Sequence, residues 1–96
     1  MEKWEYLFGN MSYTMRGELT VDKLASIKLP KRSTLEEVVG LLGEEGWELV
    51  QADISALMYN GALILKRAWQ GGKYDVQTFI SKLETIHQLQ QAQKGN

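Results

Sequence analysis

The chain has 96 residues, with eleven Lys and Arg against twelve Asp and Glu and a formal net charge of -1. This balance argues against binding nucleic acid through bulk positive charge, although a local basic patch can still form. The chain has no cysteine, which excludes disulfides and thiolate chemistry and suits a reducing compartment, so the expected location is the cytoplasm. The length predicts a single domain over residues 1–96, and no apolar run is long enough to span a bilayer.

The first predicted element is a β-hairpin in the stretch WEYLFGNMSYTM, residues 4–15. Gly9 and Asn10 form a two-residue turn signal because both residue types tolerate a positive φ. With that turn, alternation places on one face Trp4, Tyr6, Phe8, Met11, Tyr13 and Met15. We expect Trp4, Tyr6 and Tyr13 to be core or interface residues, because large aromatic side chains are usually buried. The alternative is a stacking platform for a ligand.

Residues 17–32 contain either a third short strand or a long ordered loop. A helix is predicted over residues 33–46, with a capping box available from Ser33 or Thr34 together with Glu36 or Glu37. Its apolar stripe consists of Leu35, Val38, Val39 and Leu42. Gly46 is a left-handed stop signal. Gly40 and Gly43 either permit close packing against another backbone or weaken the helix.

Two strands follow, WELVQADI and GALILKRAW, joined as a hairpin through a somewhat longer loop that ends in Asn60 and Gly61. Trp47 is expected to be buried between helix and sheet. Residues 62–65, ALIL, are apolar at every position, which predicts a central strand covered on both faces. Residues 75–92 form a C-terminal helix that either covers the second face or docks on a neighbouring subunit. The predicted fold is α+β, an antiparallel sheet of about four strands with one packed helix and a C-terminal helix.

The segments WEY at 4–6, a helix at 35–46, WELV at 47–50 and LILKR at 63–67 together resemble a known family. They are similar to the small bacterial and phage family catalogued as domain of unknown function 4177. The resemblance covers roughly half of the chain, and GWELV is its most specific part. It implies the order strand, helix, strand and final strand, and no activity, since the family has none established. The chain departs from the family pattern at residues 9–32 and in the helix after Gly72.

The sequence lacks a recognisable catalytic set. His87 is the one histidine, and without cysteine it is not expected to hold a transition metal, so we interpret it as a partly buried structural residue. The serines lack a nucleophile motif, and the paired carboxylates at 36–37 and 44–45 fit solvated helix ends. We therefore expect a protein that is not an enzyme and needs no cofactor.

Basic and aromatic residues near loops and strand ends predict a binding function instead, because guanidinium groups hold phosphates and aromatic rings stack on bases. We predict a pocket at a subunit junction for a small phosphate-bearing or nucleotide-type ligand. The expected contacts are Arg16, Arg32 and Arg67 for phosphate and Tyr59 and Trp69 for a ring. The chain would be a homo-oligomer built on a two-fold dimer, sequestering its ligand as a viral sponge against host defence signalling. The alternative is a protein-interaction or regulatory module without a small ligand.

Overall fold

The computed structural model describes residues 2–55 and 60–94, which form one antiparallel sheet and two helices. In chain order the elements are β1 (Trp4–Tyr13), β2 (Leu19–Leu24), β3 (Ile27–Lys28), α1 (Leu35–Glu44), β4 (Glu48–Ser55), β5 (Asn60–Ala68) and α2 (Val76–Lys94). The strands lie in the order β3-β2-β1-β5-β4, and neighbouring strands are antiparallel. The predicted α+β class is confirmed, with five strands in the described residues where about four were expected.

Strand β1 runs without interruption through Gly9 and Asn10, so the hairpin turn predicted there is wrong. The turn lies instead at residues 14–18, where Gly17 has a φ of 81°. Gly9 permits a close approach between strands, because a Cβ at this position would lie 2.8 Å from the carbonyl oxygen of Lys23 and 2.9 Å from the Leu24 side chain. The glycine therefore marks the crowded centre of a sheet, with β2 on one side of β1 and β5 on the other.

The burial along β1 is the reverse of the pattern expected from its aromatic residues. Its core-facing positions are Glu5, Leu7, Gly9 and Met11. Trp4, Tyr6 and Phe8 are 40%, 53% and 59% exposed, and Tyr13 is exposed as well. Of the expected core or interface placement of Trp4, Tyr6 and Tyr13, the core placement is wrong, and the interface placement stays a prediction. Both helices pack on the opposite side of the sheet, so no element of the described residues covers the side that carries these aromatic residues.

Strand β5 is central, yet the described residues cover only one of its faces. Leu63 and Leu65 are fully buried, whereas Ala62 is exposed and Ile64 is partly exposed. The predicted cover on both faces of residues 62–65 is therefore wrong within a single chain. The antiparallel pairing of β4 with β5 confirms the predicted hairpin, and the segment 56–59 of its connection lies outside the described residues. Residues 17–32 contain the two short strands β2 and β3.

Helix α1 begins and ends where its sequence signals place it. The Thr34 side chain caps it by accepting the backbone N–H of Glu37 at 3.2 Å, and Gly46 has the left-handed φ of 91° that stops it. A Cβ added at Gly40 or Gly43 would meet nothing within 4 Å. These two glycines therefore do not serve close packing against another backbone. Of the two predicted roles, the one that remains is that they weaken the helix.

Helix α2 packs on the same side of the sheet as α1. Its buried residues Val76, Phe79, Ile80 and Leu83 belong to one core cluster with Val38 and Leu42 of α1 and with Leu63 and Leu65 of β5. Of the two alternatives expected for α2, cover of the second face of the sheet is wrong, because the apolar stripes of both helices pack on one face of this chain. No helix of the described residues has the length and apolar character needed to cross a lipid bilayer.

Candidate anion-binding cleft

A polar cleft of about 580 Å³ opens between the β1–β2 turn, the loop before α1 and the second half of α2. We call it the basic cleft. The residues that define its chemistry are Arg16, Glu18, Lys31, Arg32, His87 and Gln90. Two of the predicted phosphate contacts, Arg16 and Arg32, are thereby brought to one site although they lie in separate turns of the chain.

The β1–β2 turn holds Arg16 at the rim of the cleft. The backbone N–H of Thr14 donates to the carbonyl of Glu18 at 2.8 Å, and the N–H of Gly17 donates to the carbonyl of Thr14 at 2.9 Å. The hydroxyl oxygen of Thr14 also accepts the N–H of Glu18 at 3.1 Å. These bonds close the turn below Arg16, so its side chain projects from a fixed backbone while remaining exposed.

The loop before α1 presents the adjacent cations Lys31 and Arg32. Ser33 is fully buried, and its hydroxyl donates to the carbonyl of Pro30 at 2.5 Å while its own carbonyl accepts the N–H of Val21 at 2.8 Å. Arg32 has a φ of 65°, a left-handed conformation that is costly for a residue other than glycine. The anchored Ser33 beside it holds this conformation, which directs the backbone so that both cations line the cleft.

His87 forms part of the cleft wall and ties the two helices together. Its Nε2 lies 2.7 Å from Oε1 of Glu37, and both side chains are mostly buried. This placement is that of a partly buried, paired histidine, the structural role expected for it. Through this contact the second half of α2 is fixed against α1, and Gln90 on the next turn of α2 reaches the cleft.

The charges of the basic cleft favour an anion. Arg16, Lys31 and Arg32 are all exposed, and none forms an ion pair with a carboxylate in residues 2–55 or 60–94. Glu18 is the one carboxylate among the described lining residues. Three cations around a concave surface raise the local concentration of anions. The described ranges contain no group of three or more His, Cys, Asp or Glu side chains placed to hold a metal ion.

Arg67 lies apart from the basic cleft, in a buried ion pair. Its Nε is 2.5 Å from Oε1 of Glu5, and the two side chains are only 9% and 6% exposed. The other carboxylate oxygen of Glu5 accepts the backbone N–H groups of Gln70 and Gly72, each at 3.0 Å. The pair therefore fixes the loop between β5 and α2, and the geometry gives Arg67 a structural partner in place of a ligand.

Two aromatic rings enclose the guanidinium group of Arg67. Its Cζ lies 4.5 Å from the ring centroid of Trp47 and 4.9 Å from that of Tyr74. The rings of Trp47 and Tyr74 meet edge to face with centroids 5.1 Å apart. The Tyr74 hydroxyl donates to Oε2 of Glu45 at 2.8 Å, and burial followed by this carboxylate raises the pKa of Tyr74. Charge, stacking and hydrogen bonds thus form one network, the Arg67 network.

The predicted ring contacts do not join the basic cleft. Trp69 is half exposed, with the Nζ of Lys3 5.8 Å from its ring centroid, and it lines a second pocket of about 380 Å³ together with Trp4. Tyr59 lies outside the described residues. The sequence-based set therefore separates into Arg16 and Arg32 in the cleft, Arg67 in the core and Trp69 at another surface.

Glu5 gives the fold an acid-sensitive component. The backbone N–H of Gln70 lowers the pKa of Glu5 below its ordinary value of 4.5, the side chain of Arg67 and the N–H of Gly72 act in the same direction, and burial opposes them. A carboxyl whose pKa is lower in the folded chain stabilises the fold above the unfolded pKa, and this stabilisation is lost as the pH falls through the folded pKa. We expect the melting temperature of the parent to decrease as the pH is lowered below 4.5.

The Glu5→Gln variant should be less stable at neutral pH but should lose less of its melting temperature on acidification. Scanning calorimetry from about pH 7 to about pH 3 measures how steeply the melting temperature of the parent and that of the variant change with pH. Asp75, whose pKa is lowered by hydrogen bonds from Thr78, contributes equally to the acid-induced loss of stability in the parent and in Glu5→Gln. Glu84→Gln, on the exposed side of α2, is the matched control. Identical acid slopes for the parent and Glu5→Gln would contradict this assignment.

Comparison of the chain with protein-family models, with curated proteins and with solved structures finds no match. The resemblance to domain of unknown function 4177 stays a prediction. Three residues from its separate segments, Glu5, Trp47 and Arg67, meet in the Arg67 network. The basic cleft is built by residues 14–20 and 31–32 and by α2, the parts in which the chain departs from that pattern. One buried residue from each of three resembling segments thus belongs to the core network, and the candidate site lies outside these segments.

Proposed function

We propose that the protein binds a small phosphate-bearing ligand in the basic cleft and releases it unchanged. The observation that supports this function is the meeting of Arg16, Lys31 and Arg32 around one concavity with no carboxylate partner among the described residues. The cleft volume of about 580 Å³ falls within the range of about 300–1,000 Å³ that small-molecule sites occupy. Guanidinium groups bind phosphate through two parallel hydrogen bonds, which favours phosphate over a simple halide.

The lining favours recognition of the phosphates over recognition of a base. No Phe, Tyr or Trp side chain is among the described residues that line the cleft, and the His87 ring is held by Glu37, so ring stacking would contribute little there. Gln90 and Gln91 offer amide donors and acceptors that suit a sugar or a base edge. The expected ligand is therefore a nucleotide or another compact organic phosphate whose affinity comes from its anionic groups.

The side chains near the cations support binding without turnover. His87, the one imidazole, is engaged by Glu37, and Thr14 accepts a backbone N–H within its own turn. An activated nucleophile needs a base within hydrogen-bond reach, and the described cleft residues supply no such set. A homo-oligomer that holds a nucleotide signal in this way would act as a sponge and would serve a virus against host defence signalling.

The test is titration calorimetry with pyrophosphate and with linear and cyclic nucleotides. We expect Arg16→Ala and Arg32→Gly each to weaken binding by about tenfold or more, because a hydrogen bond to a charged group contributes about 1.5–3 kcal/mol. Glycine at position 32 keeps the left-handed backbone while removing the charge. Lys73→Ala, an exposed cation outside the cleft, is the control and should bind like the parent. Turnover of the ligand, or affinity unchanged in both arginine variants, would contradict the proposal.

The alternative function is a protein-interaction module without a small ligand. The observation that favours it is the exposed row of Trp4, Tyr6 and Phe8 on the open side of the sheet. A ligand that binds the folded state raises its melting temperature by mass action. A nucleotide panel that leaves the melting temperature unmoved would therefore favour the alternative over the basic cleft.

A further inference from the structure

The side of the sheet that faces away from both helices, the outer face, carries an exposed aromatic row. Trp4, Tyr6 and Phe8 alternate along β1 and are 40%, 53% and 59% exposed. Ile64 of β5 lies opposite Phe8 and is also partly exposed. Contiguous apolar surface of this kind mostly marks an interaction site, since covering it removes apolar area from water.

We propose that two copies of this chain pack outer face to outer face around a two-fold axis that runs along β1. Sheets that pack in this way lie about 10 Å apart with their strands within about 30° of each other. This inference is independent of the proposed ligand site, because no residue of the aromatic row lines the basic cleft. The occupant is identified by the distribution of charge across the face.

A row of paired residues crosses the outer face from strand to strand, and its two ends carry opposite charges. From β3 to β4 the paired residues are Lys28, Lys23, Asn10, Ala62 and Asp53. The β2 and β3 side of the row therefore carries two cations, and the β4 edge carries a carboxylate. Asn10 on β1 lies at the midpoint, so the row is suited to pair with a reversed copy of itself.

A two-fold axis along β1 reverses the row in the second copy. The β3 edge of one subunit then lies over the β4 edge of the other, so Lys28 faces the partner's Asp53, and the same contact occurs twice by symmetry. The axis also places the aromatic row of one subunit over that of the other, where aromatic rings can pack edge to face or offset. Opposite charges at the rim and aromatic rings at the centre are the usual anatomy of a stable interface.

Two other arrangements fit the outer face less well, one because of its charges and one because of its aromatic row. An axis across the strands would stack β4 on β4 and bring Asp53 and Glu48 over the same carboxylates of the second copy. Like charges facing each other across an interface oppose association. Pairing through the open β4 edge would leave Trp4, Tyr6 and Phe8 uncovered. The axis along β1 is the arrangement that covers the aromatic row and pairs the charges.

The interface is tested by sedimentation equilibrium of the parent and of surface variants, with circular dichroism to verify that each is folded. We expect a dimeric parent at micromolar concentration. Phe8→Glu should raise the dissociation constant by about a hundredfold or more, because each dimer contains the residue twice at its centre. Leu89→Glu changes an exposed residue of α2 in the same way and should leave the dimer intact. A monomeric parent, or a dimer that survives Phe8→Glu, would overturn the proposal.

Charge reversal tests the axis itself. Asp53→Lys and Lys28→Glu should each weaken the dimer by about tenfold, since each places two pairs of like charges face to face. Mixing the two single variants should restore dimerisation, because in the mixed dimer both charge pairs are again of opposite sign. Native mass spectrometry separates the mixed dimer by mass. Failure of the mixed dimer to form more strongly than either variant alone would overturn the arrangement.

Discussion

Arg67→Ala should lower the melting temperature by about 10 °C or more, an effect typical of breaking a buried ion pair in a domain of this size. The substitution leaves the carboxylate of Glu5 in the interior without its cation. It also removes the guanidinium plane that fills the space between the rings of Trp47 and Tyr74. The loop between β5 and α2 should loosen as well, because Glu5 holds the backbone N–H groups of Gln70 and Gly72.

Three variants separate the contributions within the Arg67 network. Arg67→Lys keeps the charge but loses the planar group, so its melting temperature should lie between those of the parent and Arg67→Ala. The double variant Glu5→Gln with Arg67→Met removes both charges and should recover part of the loss. Arg16→Ala is the control, because it removes an exposed arginine that has no ion-pair partner among the described residues. It should melt at the same temperature as the parent. Calorimetry that finds Arg67→Ala as stable as Arg16→Ala would contradict the structural role.

Trp47→Ala should reduce the free energy of unfolding by about 3–5 kcal/mol, the cost of removing a large aromatic side chain from a core. Trp47 is 4% exposed and belongs to the core cluster with Val38 and Leu42. Its ring contacts both Tyr74 and Arg67, so the substitution leaves a cavity and also exposes one side of the guanidinium group. Urea denaturation gives the free energy directly.

Two substitutions serve as matched controls for Trp47→Ala. The indole N–H of Trp47 finds no acceptor among the described residues, so Trp47→Phe loses volume but no hydrogen bond and should cost much less. Trp69→Ala removes a tryptophan that is half exposed and should also cost less. Equal losses for Trp47→Ala and Trp69→Ala would mean that the assigned core is incorrect.

Local signals in the sequence predicted the helices well and the sheet only in part. The Thr34 cap and the Gly46 stop act within one helical turn, so α1 could be bounded without knowing its neighbours. Alternation along β1 correctly grouped Trp4, Tyr6 and Phe8 on one face. It could not show which face the helices cover, because that depends on where α1 and α2 pack. Gly9 was misread since a glycine needed for close approach and one needed for a turn look alike in sequence.

The candidate site was predicted in part for the same reason. Arg16 and Arg32 lie in irregular segments beside the sheet, and residues of such segments are free to line a surface. Arg67 shares the face of Leu63 and Leu65, as alternation requires, but that face is the core, and its partner Glu5 lies 62 positions away in the chain. Lys31 was not among the predicted contacts, although its position next to Arg32 could have indicated it. Gln90 reaches the cleft only because α2 docks on α1, which no local pattern reveals.

The central place of β1 and β5 determines when the core can close as the chain folds. Strand β1 can pair with β2 early, because a short turn joins them. Its other edge can pair only with β5, which is made of residues distant in the chain, as the pair of Trp4 with Ala68 illustrates. Contacts between such distant residues form slowly, since a long loop must be closed before they stabilise anything. Until then β1 has one open edge and an aromatic row. The strand at the centre of the finished sheet is thus also the segment most open to misassembly with other chains during folding.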